Sequence, residues 1–256
     1  MSSSATIPVS VFVITKDEAA NLPRLLDNVR DFAEVIVVDS GSSDATVEIA
    51  SSYANTRVSF NPWPGFGKQK AHALGLCSYP WVLNLDADET LSDLLREEIR
   101  DVIRRDDVAA LQCRRQLLRW GRPPRCFDKP DRLIRLFRKT CGRYDDRMVH
   151  ESITVDGPVR QSGNLILHHE NLGIDQRLQK SIFYARLKAQ DKFDKGQHTH
   201  PLVPLLIAPL TFLKMLLIRG HLLDGFAGIL TSSNAAFYSF MKYAILWEMW
   251  RRKGNK

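Results

Sequence analysis

Cysteine is scarce: Cys77, Cys113, Cys126 and Cys141 stand far apart in 256 residues, with no CxxC pair and no histidine at metal-ligand spacing. That spacing argues against a zinc site and against a disulfide framework, and it suits a reducing compartment. A glycine-rich GxGxxG turn and a Walker A loop are both missing, so neither a dinucleotide site nor a P-loop is encoded. Long uninterrupted apolar runs are missing as well. The most apolar stretch, PLVPLLIAPLTFLKMLLI at 201–218, holds three prolines and Lys214, and a spanning helix needs about 20 apolar residues. The opening MSSSATIPVSVFVITKDE lacks a basic n-region, which leads us to expect a cytoplasmic protein. With 44% hydrophobic and 25% charged residues, the chain has enough apolar content to bury a core and no bias toward disorder.

The net charge of +7 is unevenly placed. Residues 1–111 carry 10 basic against 17 acidic side chains, whereas 112–143 carry 11 against 2. A second basic excess closes the chain, where Lys242, Arg251, Arg252, Lys253 and Lys256 face only Glu248. Both patches imply anionic company. Nucleic acid is not the expected partner, because no helix-turn-helix, RNP-type or zinc pattern accompanies the charge.

The first half alternates two periodicities, the signature of βαβ units on a parallel sheet. The pattern predicts strands at 9–15, 34–39, 57–60 and 81–85, with helices over 22–32, 45–53, 67–77 and 93–105. Further strands are predicted at 109–118, 133–138 and 165–169, then a helix over 175–195. The stretches 201–218 and 225–241 read as docked in the plane of a membrane surface or on the protein, beside a basic tail that suits anionic headgroups. Two domains are expected, 1–172 (halves 1–110 and 111–172) and a helical 173–256.

In open α/β sheets the ligand lies beyond the carboxyl ends of the strands. Here those ends carry Lys16-Asp17-Glu18, Asp39-Ser40-Gly41 and Asp86-Ala87-Asp88-Glu89. Two carboxylates one residue apart are hard oxygen ligands of the kind that hold Mg²⁺ or Mn²⁺ against phosphate. His168 and His169 end a predicted strand and point to opposite faces, so one of them at most joins such a site. A nucleotidyltransferase would place a basic, glycine-rich loop after the first strand, where this chain has acids.

Taken together, TKDEAANL, VVDSGSSDAT (the pattern D-x-x-S-x-D-x-T) and the Asp86-Ala87-Asp88 triplet resemble the nucleotide-sugar-binding half of the family 2 inverting glycosyltransferases, an α/β GT-A fold. The likeness covers about residues 8 to 170. GFGKQKAHALGLC, DRLIRLFRK, MVHES and the late GHLLDGFAGILTSSNAAFYSFMKY resemble the branch that builds bacterial lipopolysaccharide inner core, including its β-glucosyltransferases. The resemblance implies a UDP-sugar donor, with UDP-glucose preferred, an anionic glycolipid acceptor, a divalent metal and work at the inner face of the cytoplasmic membrane. It puts Asp17, Glu18 and Asp39 around the base and ribose, with Thr15, Ser40 and Asp44 beside them. Asp86 and Ala87 then meet ribose and diphosphate, Asp88 and His168 the metal, and Lys68 or Lys70 the phosphates. Glu151 occupies the position of this branch's base, where the commoner family pattern has an aspartate after an acidic neighbour and this chain has His150. Arg122 and Arg125, with Arg135 or Arg138, are expected to grip the acceptor's acidic groups by forked hydrogen bonds.

Overall fold

The computed structural model describes residues 6–125, 127, 130–144, 153–170 and 173–254. The chain divides into two compact units, Met1–Leu117 with Pro130–His169, and Leu118–Lys129 with Glu170–Lys256. Leu118–Lys129 falls in the same unit as the C-terminal helices.

The first unit is built on an eight-stranded sheet of order β3-β2-β1-β4-β7-β6-β10-β5. Strands β1 (Ile7–Thr15), β2 (Phe32–Asp39), β3 (Thr56–Phe60) and β4 (Trp81–Asn84) are parallel. Beyond β4 come β5 (Glu89–Leu91), β6 (Ala110–Arg119), β7 (Asp131–Arg138) and β10 (Val159–Glu170), with β7 antiparallel to both β4 and β6, and β10 antiparallel to β5. A small antiparallel ribbon joins β8 (Gly142–Tyr144) to β9 (Ile153–Val155). The near-continuous apolar runs of β1 and β2 follow from burial on both faces. Val9, Val11, Val13, Val35 and Val37 enter one core, while Phe12, Ile36 and Val38 enter the other. Helices α1 (Leu22–Asn28), α2 (Thr46–Ser51), α3 (Phe66–Leu76) and α4 (Asp93–Arg105) supply the crossovers and flanks. α4 begins where Ser92 Oγ accepts the Leu95 N–H at 3.3 Å. It buries Leu95, Ile99 and Val102 at helical spacing and closes on a left-handed Asp106.

The second unit contains α5 (Ile174–Asp194), α6 (Leu202–Leu213), a π-helical stretch Lys214–Ile218, a 3₁₀ turn His221–Asp224 and the long α7 (Phe226–Gly254). α7 packs on α5 and α6. Ser181 Oγ of α5 donates to Asn234 Oδ1 at 3.0 Å, and Trp250 Nε1 donates to the Gln197 carbonyl at 2.8 Å. Among the described residues no helix is long and apolar enough to cross a membrane.

The turn between α6 and α7 depends on glycine. Gly220 and Gly225 have φ of 74° and 60°, and a Cβ on Gly228 would stand 1.7 Å from the His221 carbonyl oxygen. Helix propensity favours alanine over glycine by about 1 kcal/mol, but this overlap with a backbone atom cannot be relieved by a rotamer. Gly228→Ala is therefore expected to lower stability by about 1–3 kcal/mol in urea denaturation. An unchanged midpoint would refute the close approach.

Candidate active site

The loops after β1 and β2 are locked together by their own acids. Asp17 sits at φ 56°, a left-handed conformation that aspartate tolerates better than most residues. Its Oδ1 accepts the Ser43 N–H at 2.7 Å, while its own N–H donates to Ser42 Oγ at 2.8 Å. Asp44 Oδ2 accepts the Ala19 N–H at 3.0 Å, and Thr46 Oγ1 accepts the Glu18 N–H at 2.8 Å. Buried Asp39 accepts the Gly41 and Ser42 N–H groups at 2.8 and 2.9 Å and the Thr15 hydroxyl at 3.4 Å. Burial alone would push the Asp39 carboxyl up, but the Ser42 and Gly41 donors outweigh it and hold the group below its ordinary value. Ser40 is fixed by a 3.0 Å bond from its N–H to the Thr15 carbonyl and by Gln69, whose Nε2 donates to Ser40 Oγ at 3.0 Å.

Glu18 contrasts with these. Burial raises its carboxyl, Asn21 opposes with a 2.8 Å hydrogen bond, and the Asp88, Asp44 and Asp86 carboxylates add to the rise. The strand ends thus collect negative charge that calls for a cation or for N–H and O–H donors from a ligand.

Beyond β4 lies a buried ionic network. Arg135 of β7, only 4% exposed, donates from Nη1 to Asn84 Oδ1 at 2.9 Å, and from Nη2 to Asp86 Oδ2 at 2.9 Å and Glu89 Oε1 at 2.6 Å. Lys70 Nζ lies 3.5 Å from Asp86 Oδ1, and Arg115 Nη1 lies 3.6 Å from Glu89 Oε1. Burial would raise Asp86, yet Arg135 and Lys70 win and lower it; the fully buried Glu89 is raised by burial despite Arg135. A cavity of about 350 Å³ adjoins this network, with Lys70, Asp86, Arg115, Arg132, Tyr144 and Ile153 in its wall.

Asp88 follows Asp86 by two positions. Its Oδ2 lies 2.9 Å from His168 Nε2, because the antiparallel pairing sets His168 opposite Glu89. Burial would lower the His168 imidazole, but the Asp88 hydrogen bond and charge raise it instead. His169 takes a different partner, Thr90 Oγ1 at 2.8 Å, and burial together with the Arg24 charge lowers it. Among the described residues no three or more side chains gather as a ready-made metal cage.

Several expectations need correcting or placing. Arg135, expected to grip the acceptor's acidic groups, instead has its guanidinium enclosed by Asn84, Asp86 and Glu89. Arg138 is also engaged, with Nε on the Val108 carbonyl at 3.1 Å and its guanidinium 5.1 Å from the Trp81 ring, at the opposite end of β4 from Asp86. Lys68 is exposed, so of the two lysines on α3 it is Lys70 that meets the carboxylates. Arg122 and Arg125 belong to the second unit. Glu151 lies outside the described residues. Glu89, Gln69 and Arg115 were not anticipated in these roles; Asn84, a lone amide in the apolar run WVLNL, was the one visible signal.

Residues 10–151 match the model of the family described as glycosyl transferase family 2. The chain belongs to that family. Similarity to two relatives extends over nearly the whole chain. It is 32% identical over 252 residues to the lipopolysaccharide core biosynthesis glycosyltransferase LpsC of Rhizobium meliloti, covering 94% of this chain and 93% of LpsC. It is 31% identical over 261 residues to the uncharacterized glycosyltransferase RP128 of Rickettsia prowazekii, covering 96% and 89%. Among solved structures, S. aureus TarS 1-349 in complex with UDP aligns with a TM-score of 0.50 at 17% identity, covering 96% of this chain and 91% of that one. The shared fold is the GT-A fold of family 2 glycosyltransferases.

Proposed function

We propose that this family 2 glycosyltransferase moves glucose from UDP-glucose, with inversion, to a heptose hydroxyl of a lipopolysaccharide inner core at the inner face of the cytoplasmic membrane. The observation that carries the reading is the end-to-end similarity to LpsC. The acid-lined strand ends support a nucleotide-sugar donor, and the UDP complex of TarS, on the same fold, supports the uridine nucleotide.

In this reading Asp17, Glu18 and Asp39, with Thr15, Ser40 and Asp44, form the wall that meets base and ribose. Asp86 and Ala87 meet ribose and diphosphate, with Lys70 contributing a positive charge. Asp88 and His168, a partly exposed carboxylate beside an imidazole, are the side chains that would hold a Mg²⁺ or Mn²⁺ ion. Such an ion would neutralise the charge of the departing diphosphate. Glu151 accepts the proton of the acceptor hydroxyl as that oxygen bonds to the anomeric carbon and UDP leaves from the opposite side. One base suffices, because a departing nucleoside diphosphate needs no protonating acid. Arg122 and Arg125 hold acidic groups of the acceptor.

Calorimetry with UDP-glucose, UDP-galactose, UDP-N-acetylglucosamine and GDP-mannose, with and without Mn²⁺, tests the donor side. UDP-glucose is expected to bind best and in a metal-dependent way, and Asp88→Ala to weaken it by on the order of tenfold or more. Folded protein that binds none of the four would overturn the donor assignment. Transfer of labelled glucose to heptose-terminated core lipopolysaccharide tests the acceptor, and transfer to polyprenyl phosphate instead would replace it.

A further inference from the structure

The second unit exposes apolar surface in a pattern. Leu202, Leu205, Leu206, Leu210, Leu213 and Leu217 are all exposed and follow one another at steps of one, three or four residues, which aligns them along one side of α6 and its π-helical continuation. The next turn carries the stripe forward, with Leu222 and Leu223 about half exposed and Phe226 at 72%. Large apolar side chains in such continuity mark a contact surface rather than ordinary solvent-facing residues. α6 has 12 residues and would extend only about 18 Å, too short for a bilayer core of about 30 Å, so its apolar side can enter a membrane only lengthwise.

The same turn forms part of a cavity of about 790 Å³. Leu223 and Asp224 line it together with Arg119, Trp120, Arg122 and Arg125. Two backbone hydrogen bonds fix this arrangement within the unit: the Arg125 N–H donates to Asp224 Oδ1 at 2.5 Å, and the Phe127 N–H donates to the Arg219 carbonyl at 2.9 Å. Asp224 is the only acid between residues 201 and 229, and it already accepts that bond, whereas Lys214 and Arg219 are basic. An arginine-lined cavity therefore opens beside an apolar crest.

We propose that this unit lies on a bilayer containing anionic phospholipid, with the α6 stripe, Leu222, Leu223 and Phe226 in the acyl boundary and a lipid phosphate in the cavity of Arg122 and Arg125. The proposal rests on the reading that the acceptor is an anionic glycolipid, and it names the membrane-proximal phosphate as the group that cavity holds. Charge complementarity selects the occupant. A second copy seated symmetrically on this face would bring the same arginines and Lys214 into opposition, while an anionic leaflet answers both the apolar stripe and the flanking positive charge.

Co-sedimentation of the full chain with vesicles tests this. Wild type is expected to bind phosphatidylcholine–phosphatidylglycerol vesicles at least about tenfold more tightly than phosphatidylcholine alone. Arg122→Ser with Arg125→Ser should erase most of that preference, about fivefold for each arginine. Leu222→Ser with Phe226→Ser should weaken binding to both vesicle types while UDP-sugar binding, measured by calorimetry, stays at the wild-type value. Two results would overturn the proposal: binding indifferent to Leu222→Ser/Phe226→Ser, or a dimer in lipid-free solution that the Leu222→Ser/Phe226→Ser variant dissolves. Wild type that binds UDP-sugar but no vesicles would sink the membrane inference alone, and wild type that binds vesicles but no UDP-sugar would sink the donor reading alone.

Discussion

Arg135→Ala is expected to destabilise the protein by about 3–5 kcal/mol. The guanidinium is nearly inaccessible and divides its hydrogen bonds among Asn84, Asp86 and Glu89. Without it, Glu89, 0% exposed, would keep Arg115 at 3.6 Å as a cation partner and would face Asp86 across a poorly solvated space. A buried charge that loses its partner costs more than the intact pair contributes, so the loss far exceeds that for a surface bridge. Arg135→Lys keeps the charge but cannot fork between two carboxylates, and should fall between wild type and Arg135→Ala. Adding Glu89→Gln to Arg135→Ala should restore part of the loss. Urea denaturation of the four proteins checks this, and a cost below about 1 kcal/mol, the scale of an exposed pair, would refute the network. Asp86 adds a pH dependence. Its folded pKa is depressed, so its share of stability is complete above the ordinary carboxylate value and is lost as pH falls below about 4.

Arg135 also marks where sequence reading reached its limit. The order of strands and helices in the first unit follows from local periodicity, and so does the gathering of Asp17, Asp39, Asp86 and Asp88 at strand ends, because a parallel sheet places successive carboxyl ends on one side. Whether an arginine in DRLIRLFRK is solvated or buried is decided by partners 46 to 51 positions away in the chain, and no local pattern carries that information. Lys68 and Lys70 looked interchangeable for the same reason. Two residues apart on a helix they point in different directions, and only the sheet beneath α3 selects Lys70.

The second unit was legible in part. That the apolar stretches form no helix long and apolar enough to cross a membrane among the described residues was readable, since length and composition decide that locally. The joining of 118–129 to the C-terminal helices was not, because it depends on long-range contacts such as Arg177 stacked 4.5 Å over Trp120 and the Arg125 bond to Asp224. Short strands β5, β8 and β9, three residues each, are below the length at which alternation can be read.

Glu151→Gln is expected to lower kcat by about 10²–10⁴-fold while leaving the affinity for UDP-sugar close to wild type. An alcohol is a poor nucleophile at neutral pH, and in the proposed inverting transfer no enzyme-bound intermediate divides the step, so removal of the acceptor proton must coincide with attack. The Asp86 carboxylate is committed to Arg135 and Lys70, and Asp39 to its own loop, which leaves neither free to accept that proton. Tyr144 and Ile153 both line the cavity beside Asp86, and Glu151 precedes Ile153 by two residues in the chain. Glutamine keeps the size and polarity of the side chain and removes only its basicity, so the defect should lie in turnover. Asp88→Asn provides the contrast, because it should weaken donor binding first. Steady-state kinetics with calorimetry on both variants separate the roles. A Glu151→Gln enzyme with wild-type kcat, or one whose defect is confined to donor affinity, would remove Glu151 as the base and return that role to the remaining acids of the site, with Glu18, held above its ordinary value by burial and its acidic neighbours, the first to test.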